Sequence, residues 1–178
     1  MKPYGYEPAE DSMLLVKEIK EKAKNKSVLD MGTGFGLLAE TALNSGAVNV
    51  LACDVNLAYV EYVKSKGINA VQSDLFSNIQ GKFDLIVFNP PYLPEDEIED
   101  EETKRIVSGG KHGYEIIEKF LVQAKKHLNE QGEILFVFSS LTNRAKIDEI
   151  LKKLRYKHYL IEEETHFYET LYLYSCNL

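Results

Sequence analysis

The chain has 178 residues, 28 acidic against 21 basic side chains, a net charge of −7 and a hydrophobic content of 44%. That length suits a single domain, residues 1–178, with a sizeable core, and the acidic balance withholds the non-specific attraction on which most nucleic-acid binders rely. Two cysteines, Cys53 and Cys176, are too few for a disulfide framework; no apolar leader opens the chain and no apolar run nears the roughly 20 residues of a membrane span, so a cytoplasmic protein is expected.

Short apolar strands alternate with amphipathic helices, the pattern of a mainly parallel sheet covered on both faces. Ala9–Lys24 places Met13, Leu14, Ile19 and Ala23 at helical spacing. Ser27–Met31 is a predicted strand ending in a Gly-rich turn, and Leu37–Ser45 the helix after it. Val48–Asp54 and Ile68–Gln72 are strands flanking the helix Leu57–Lys66. Phe83–Phe88 is a buried strand that stops at Asn89-Pro90-Pro91, since two prolines end a ladder. Gly113–Leu128 carries Ile116, Ile117, Phe120, Leu121 and Ala124 on one helical face. Glu133–Ser139 is a strand and Ala145–Leu154 the last helix.

The tail offers two strands, Tyr156–Ile161 and Phe167–Cys176, with an acidic turn, Glu162–Glu164, between them. So short a turn allows a hairpin but no parallel crossover, so one antiparallel strand is expected near the C-terminus. The fold class is α/β, a Rossmann-like seven-stranded mainly parallel sheet of order 3-2-1-4-5-7-6.

Asp30-Met-Gly32-Thr-Gly34-Phe-Gly36 falls at the carboxyl end of the first strand, where a doubly wound sheet meets its ligand. The third glycine is one residue too early for a dinucleotide fingerprint. An aspartate before the turn repels phosphate and suits an ammonium group. Asp54 ends the second strand, where an acid takes both ribose hydroxyls. Asp74 follows the third strand and can accept from an adenine amino group, with Leu75 packing on the ring. Three acids at three successive strand ends describe a pocket for an adenosine with an amino-acid tail and no phosphates, which is S-adenosylmethionine.

Asn89-Pro90-Pro91-Tyr92 faces the same crevice. An amide or aromatic amino nitrogen is a poor nucleophile because its lone pair is delocalised. The Asn89 side-chain oxygen and the Pro90 carbonyl can accept its two N–H protons and turn the lone pair towards a methyl group. The prolines stiffen the turn, and Tyr92 offers a face for a planar group. Catalysis by positioning and electrostatics then suffices, because a sulfonium is already an activated leaving group. His112, His127, His158 and His166 lack metal-ligand spacing, and no metal site is expected.

With both turns in place, the chain resembles the class I S-adenosylmethionine-dependent methyltransferases, and more narrowly the HemK-like protein-glutamine methyltransferases of archaea and eukaryotes. Tyr6-Glu-Pro-Ala-Glu-Asp-Ser12 resembles the family's opening motif, with Ser12 where threonine is common. Leu29–Gly36 is similar to its cofactor motif, Phe88–Tyr92 to its catalytic motif, Gly109–Glu115 to its Gly-Gly-x-x-Gly loop and Glu169–Leu171 to its final strand. The resemblance implies a catalytic set of Asn89, Pro90 and Tyr92. It implies a cofactor set of Tyr6, Pro8, Glu10, Ser12, Asp30, Gly32, Gly34, Asp54, Asp74, Leu75 and Asn89. It further implies, as substrate, the Gly-Gly-Gln glutamine of a class I translation termination factor (a release factor), and a small zinc-binding activator subunit. The strand Ile68–Gln72, expected at a sheet edge, invites strand addition by such a partner.

Adenine-amino methyltransferases of DNA or RNA share Asn-Pro-Pro-Tyr and are the alternative; a non-catalytic cofactor-binding protein is a third class, disfavoured by the intact turn. Nucleic-acid enzymes need positive surface for phosphates. Here residues 95–102 are seven acids and one isoleucine, starting three residues after Tyr92. Without them the chain is neutral, so the acidity belongs to one segment at the expected rim of the site, where it would repel phosphate and attract a basic protein surface.

Overall fold

The computed structural model describes residues 10–95 and 107–178. In chain order the elements are α1 (Glu10–Lys22), β1 (Ser27–Met31), α2 (Leu37–Asn44), β2 (Asn49–Asp54), α3 (Leu57–Ser65) and β3 (Ala70–Gln72). After them come β4 (Phe83–Phe88), β5 (Leu93–Pro94), β6 (Ser108–Gly110), α4 (Glu115–Ala124), β7 (Leu128–Ser139), α5 (Arg144–Lys153), β8 (Lys157–Thr165) and β9 (Thr170–Asn177). The main sheet has the order β3-β2-β1-β4-β7-β9-β8. Counting its seven strands alone, this is the expected 3-2-1-4-5-7-6. All neighbours are parallel except β9, which runs antiparallel to both β7 and β8.

Strand alternation sorts the core into two layers. Leu85 and Val87 of β4, with Leu135 and Val137 of β7, pack with Leu15 and Ile19 of α1, Ala39 and Ala42 of α2, and Val60 and Val63 of α3. Ile86 and Phe88, with Ile134, Phe136 and Phe138, face the other way onto Ile117, Phe120 and Leu121 of α4 and Ile147, Ile150 and Leu151 of α5. Both layers are sealed, so the strands read as continuous apolar runs rather than as alternating ones. Cys53 and Cys176 are buried free thiols inside this core. Burial drives the Cys53 thiol up to about 12 and pushes Cys176 up as well.

Three sequence expectations need correction. Glu162–Glu164 is not a turn: these residues continue β8, and the reversal is at His166–Glu169, closed by the His166 N–H donating to the Glu169 carbonyl at 2.8 Å. Strand β8 is the outer edge, so its glutamates keep their carboxylates in water, and Glu162 meets Lys17 of α1 at 2.8 Å. The helix expected to reach Leu128 ends in a turn of 3-10 helix at Lys125–His127, and β7 begins at Leu128 rather than Glu133. A two-stranded parallel sheet, β5 with β6, was not foreseen because segments of two and three residues carry no periodicity. Tyr6, Pro8 and residues 96–102 of the acidic run lie outside the described residues. Among the described residues no helix is long and apolar enough to cross a membrane.

Candidate active site

The site forms where β1 and β4, adjacent and parallel, send their chains to opposite sides of the sheet. After β1 the chain turns through Gly32 at φ 63°, where a Cβ would lie 3.2 Å from the Phe88 ring. Both the left-handed backbone and the contact call for glycine. The turn is tied to β2 twice: the Thr33 N–H donates to the Cys53 carbonyl at 2.8 Å and the Gly34 N–H to Asp54 Oδ2 at 2.9 Å.

Asp30 is fully buried, faces α2 and does not line the cavity. Its Oδ2 accepts from Thr33 Oγ1 at 2.6 Å and from the Ala39 N–H at 3.0 Å. Gly36, the residue that caps α2, makes no side-chain bond to the helix. Asp30 therefore supplies from the strand the acceptor that the helix start lacks. This contact engages Oδ2 alone: Asp30 Oδ1 is buried and has no hydrogen-bond partner among the described residues, which leaves it to the ammonium group that the sequence expectation assigns to Asp30. Burial raises its carboxyl to about 7, opposed by the bonds from Thr33 and Ala39. With an ordinary value in the unfolded chain, Asp30 favours folding most below about pH 4, and that contribution is lost as pH rises through about 7. Between pH 5 and pH 8 the wild type is expected to lose roughly 2–3 kcal/mol that the Asp30→Asn variant retains, measured as the pH dependence of the difference in urea midpoints. Parallel pH profiles would show that Asp30 stays ionised in the fold.

Asp54 closes β2, nine-tenths buried, and lines the cavity. Burial raises its carboxyl, against the N–H groups of Asn56 and Gly34, which donate to Oδ1 and Oδ2 at 2.9 Å each. Each oxygen keeps a second lone pair for a ligand hydroxyl. Beyond β3, Asp74 and Leu75 also line the cavity, Leu75 at φ 47°. Ser73 holds this loop: its hydroxyl donates to the Leu75 carbonyl at 2.6 Å and accepts from the Asn78 N–H at 3.0 Å.

Asn89-Pro90-Pro91-Tyr92 leaves β4 into the same cavity, and the first turn of α1 grips its side chains. Asn89 Nδ2 donates to Ser12 Oγ at 3.1 Å, and the Tyr92 hydroxyl donates to Asp11 Oδ2, also at 3.1 Å. The Ser12 N–H donates to Asp11 Oδ1 at 2.6 Å. Asp11 belongs to the opening motif but to neither implied set, and the structure shows it joining the start of α1 to the Tyr92 hydroxyl. Asn89 Oδ1 is buried and has no hydrogen-bond partner among the described residues. Leaving such an acceptor unpaired costs about 1–3 kcal/mol, so the fold holds it ready for a donor from outside.

The turn is braced from behind. Thr142 Oγ1 donates to the Tyr92 carbonyl. Gly113, at φ 85°, sits so close that a Cβ would collide with the same carbonyl and lie 3.1 Å from Pro94 N. A Cβ on Gly109 would stand 2.8 Å from the Pro91 carbonyl. The Gly-Gly-x-x-Gly loop is thus a close backbone support for the Asn-Pro-Pro-Tyr turn.

The parts share one cleft of about 1120 Å³, bounded by Gly32, Gly34, Asp54, Asp74, Leu75, Ser12, Asn89, Pro90 and Tyr92. Glu10 is exposed and does not line it. Sequence reasoning missed Ile116, Lys119 and Gln123, which line its far end from α4. Lys119 is the one cation on the wall among the described residues, so the cleft has no cluster for phosphates. Among the described residues no group of three or more His, Cys, Asp or Glu side chains is placed to hold a metal.

The methyltransferase small domain model matches residues 9–169. The chain belongs to this methyltransferase family. A Methanocaldococcus jannaschii protein bearing the name protein N5-glutamine methyltransferase is 40% identical over 87% of this chain and 82% of its own. The ribosomal RNA small subunit methyltransferase C of Buchnera aphidicola is 31% identical over 90% of this chain, which spans only 45% of that relative. Among solved structures, the E. cuniculi Mtq2–Trm112 complex, responsible for methylation of the eRF1 translation termination factor, matches with a TM-score of 0.77. It is 28% identical, over 97% of each chain. The methyl donor is S-adenosylmethionine, and the cleft fits it: acids at the strand ends, glycines at the turn and no cationic cluster.

Proposed function

We propose that this methyltransferase modifies the side-chain amide nitrogen of a glutamine, that of the Gly-Gly-Gln loop in a class I translation termination factor. The observation that carries the reading is Asn89 Oδ1, a buried acceptor at the mouth of a rigid turn with no hydrogen-bond partner among the described residues. An amide NH₂ brings two donors and a planar face. Asn89 Oδ1 takes one N–H and the Pro90 carbonyl the other, while Tyr92 covers the plane of the amide. Bound S-adenosylmethionine supplies a methyl group on a sulfonium, a leaving group that needs no proton. Asp54 holds the ribose hydroxyls, Gly32 and Gly34 let the backbone approach, and Asp74 with Leu75 brackets the base. Ser12 keeps Asn89 oriented and Asp11 keeps Ser12 and Tyr92 in place. Tyr6, Pro8 and Glu10 stay in the proposed cofactor set on the resemblance alone.

A small zinc-binding activator subunit is part of the proposal, seated on the edge strand β3. Among the described residues that strand is the outermost of the main sheet, next to β2 on one side only. The similarity to one chain of a two-protein complex supports a partner subunit.

A second reading is supported by the ribosomal RNA relative: the same turn would orient an exocyclic amino group of a nucleobase. One experiment separates them. Labelled S-adenosylmethionine is offered with a purified termination factor and with RNA and DNA oligonucleotides, each with and without the activator. Label is expected on the factor and to vanish when its Gly-Gly-Gln glutamine is replaced by alanine. Label on nucleic acid alone would overturn the proposal.

A further inference from the structure

The β8–β9 turn carries two aromatic side chains with almost no cover: Phe167 is 99% exposed and Tyr168 91%. An isolated surface apolar residue is ordinary, but two adjacent fully exposed rings mark a contact surface. Their ring centroids are 6.2 Å apart. The turn that presents them is closed by the bond between His166 and Glu169. Because β8 runs parallel to β1, β4 and β7, its end at Thr165 lies at the carboxyl edge of the sheet, the edge at which β4 delivers Asn89 and Tyr92.

Hydrogen bonds tie the hairpin to the catalytic turn. The Ser140 N–H donates to the Thr170 carbonyl at 2.8 Å and the Thr170 N–H to Ser140 Oγ at 3.0 Å. Two residues on, Thr142 donates to the Tyr92 carbonyl. Between them Leu141 is half exposed. Of the glutamates on the strand leading to the tip, Glu162 pairs with Lys17 at 2.8 Å, Glu163 lies 3.9 Å from Arg144 and Glu164 3.6 Å from His166.

We infer that Phe167 and Tyr168 form a docking tip for the body of the protein substrate, while the cleft takes only its glutamine loop. This rests on the function proposed above. A protein whose loop enters the cleft must lie against the surface around it, and the tip stands at the same edge of the sheet, connected to Tyr92 through Thr170, Ser140 and Thr142. The chemistry selects an apolar patch with a basic border: the rings meet the patch, and the half-exposed carboxylates of Glu163 and Glu164 next to the tip meet the border.

The double variant Phe167→Ser/Tyr168→Ser tests it, assayed with the intact termination factor and with a short peptide containing its Gly-Gly-Gln sequence. For the intact factor KM is expected to rise about tenfold or more with kcat within twofold, as for the loss of aromatic anchors. Peptide kinetics and S-adenosylmethionine affinity should match the wild type. An unchanged KM for the factor overturns the inference. So does an equal loss on factor and peptide, which would make the tip a support of the cleft. A wild-type dimer that the variant converts to monomer, seen by sedimentation, would assign the rings to self-association and overturn it too. If the wild type methylates neither factor nor peptide, the functional proposal itself fails; if it methylates both and the variant does so equally well, only the docking tip fails.

Discussion

Asn89→Ala is expected to lower kcat about 100- to 1,000-fold, the scale on which one preorganised polar group acts in a transition state. The affinity for S-adenosylmethionine should change no more than about threefold, a small fraction of the loss on the scale where 1.4 kcal/mol is tenfold. The reasoning lies in what the residue touches. Its Nδ2 is spent on Ser12 and its Oδ1 on no group among the described residues, so the acceptor is held in one direction before the substrate arrives. Ser12→Ala leaves the amide in place but releases its hold, and should cost less in kcat than Asn89→Ala. Single-turnover rates under saturating cofactor, with binding measured separately by calorimetry, check both variants. Near-normal turnover in Asn89→Ala would remove it from the reaction.

Gly113→Ala should be nearly as damaging, although the residue belongs to neither proposed set. A methyl group there strikes the Tyr92 carbonyl, so the turn must move. The left-handed backbone at φ 85° adds about 1–2 kcal/mol for any residue with a Cβ. Displacing a catalytic turn by about an ångström costs on the order of 100-fold in rate. Gly67→Ala is the control. It shares the positive φ, at 81°, but a Cβ there meets nothing within 4 Å. It should lose a comparable amount from backbone strain and keep its kcat. Melting temperatures with initial rates distinguish the two, and equal rates for both variants would show that the Gly loop does not brace Tyr92.

The order of the main sheet and the ends of β1 and β4 were legible because buried parallel strands are apolar runs that stop at unmistakable residues, Gly32 and Pro90. The hairpin turn was misplaced because an edge strand is chemically a surface. Glu162–Glu164 look like a loop until a neighbour, β9, supplies their ladder. The bond that Asp30 Oδ2 accepts from the start of α2 is not legible in a strand-end position, because only the alternation that points Val28 and Asp30 towards α2 brings the Ala39 N–H to it. Asp54, Asp74 and Leu75 do reach the cleft, since they end strands whose loops curl over it. Asp11, Thr142 and Gly113 act on Tyr92 across 81, 50 and 21 positions of sequence. No local pattern announces contacts of that span.

The small sheet of β5 and β6 has a consequence for how this protein could change over time. Leu93 and Ser108 are paired neighbours, and the Glu95 N–H donates to the Gly110 carbonyl at 3.1 Å, so the chain is clamped where it leaves the catalytic turn and where it returns. Doubling the length of a loop whose ends are held costs only about 0.6 kcal/mol of closure entropy. The clamp is made by backbone groups, so substitutions of the side chains around it leave the exit and the return of the turn in place. Surface residues near the turn are thus free to vary while the backbone that carries Tyr92 is inherited unchanged.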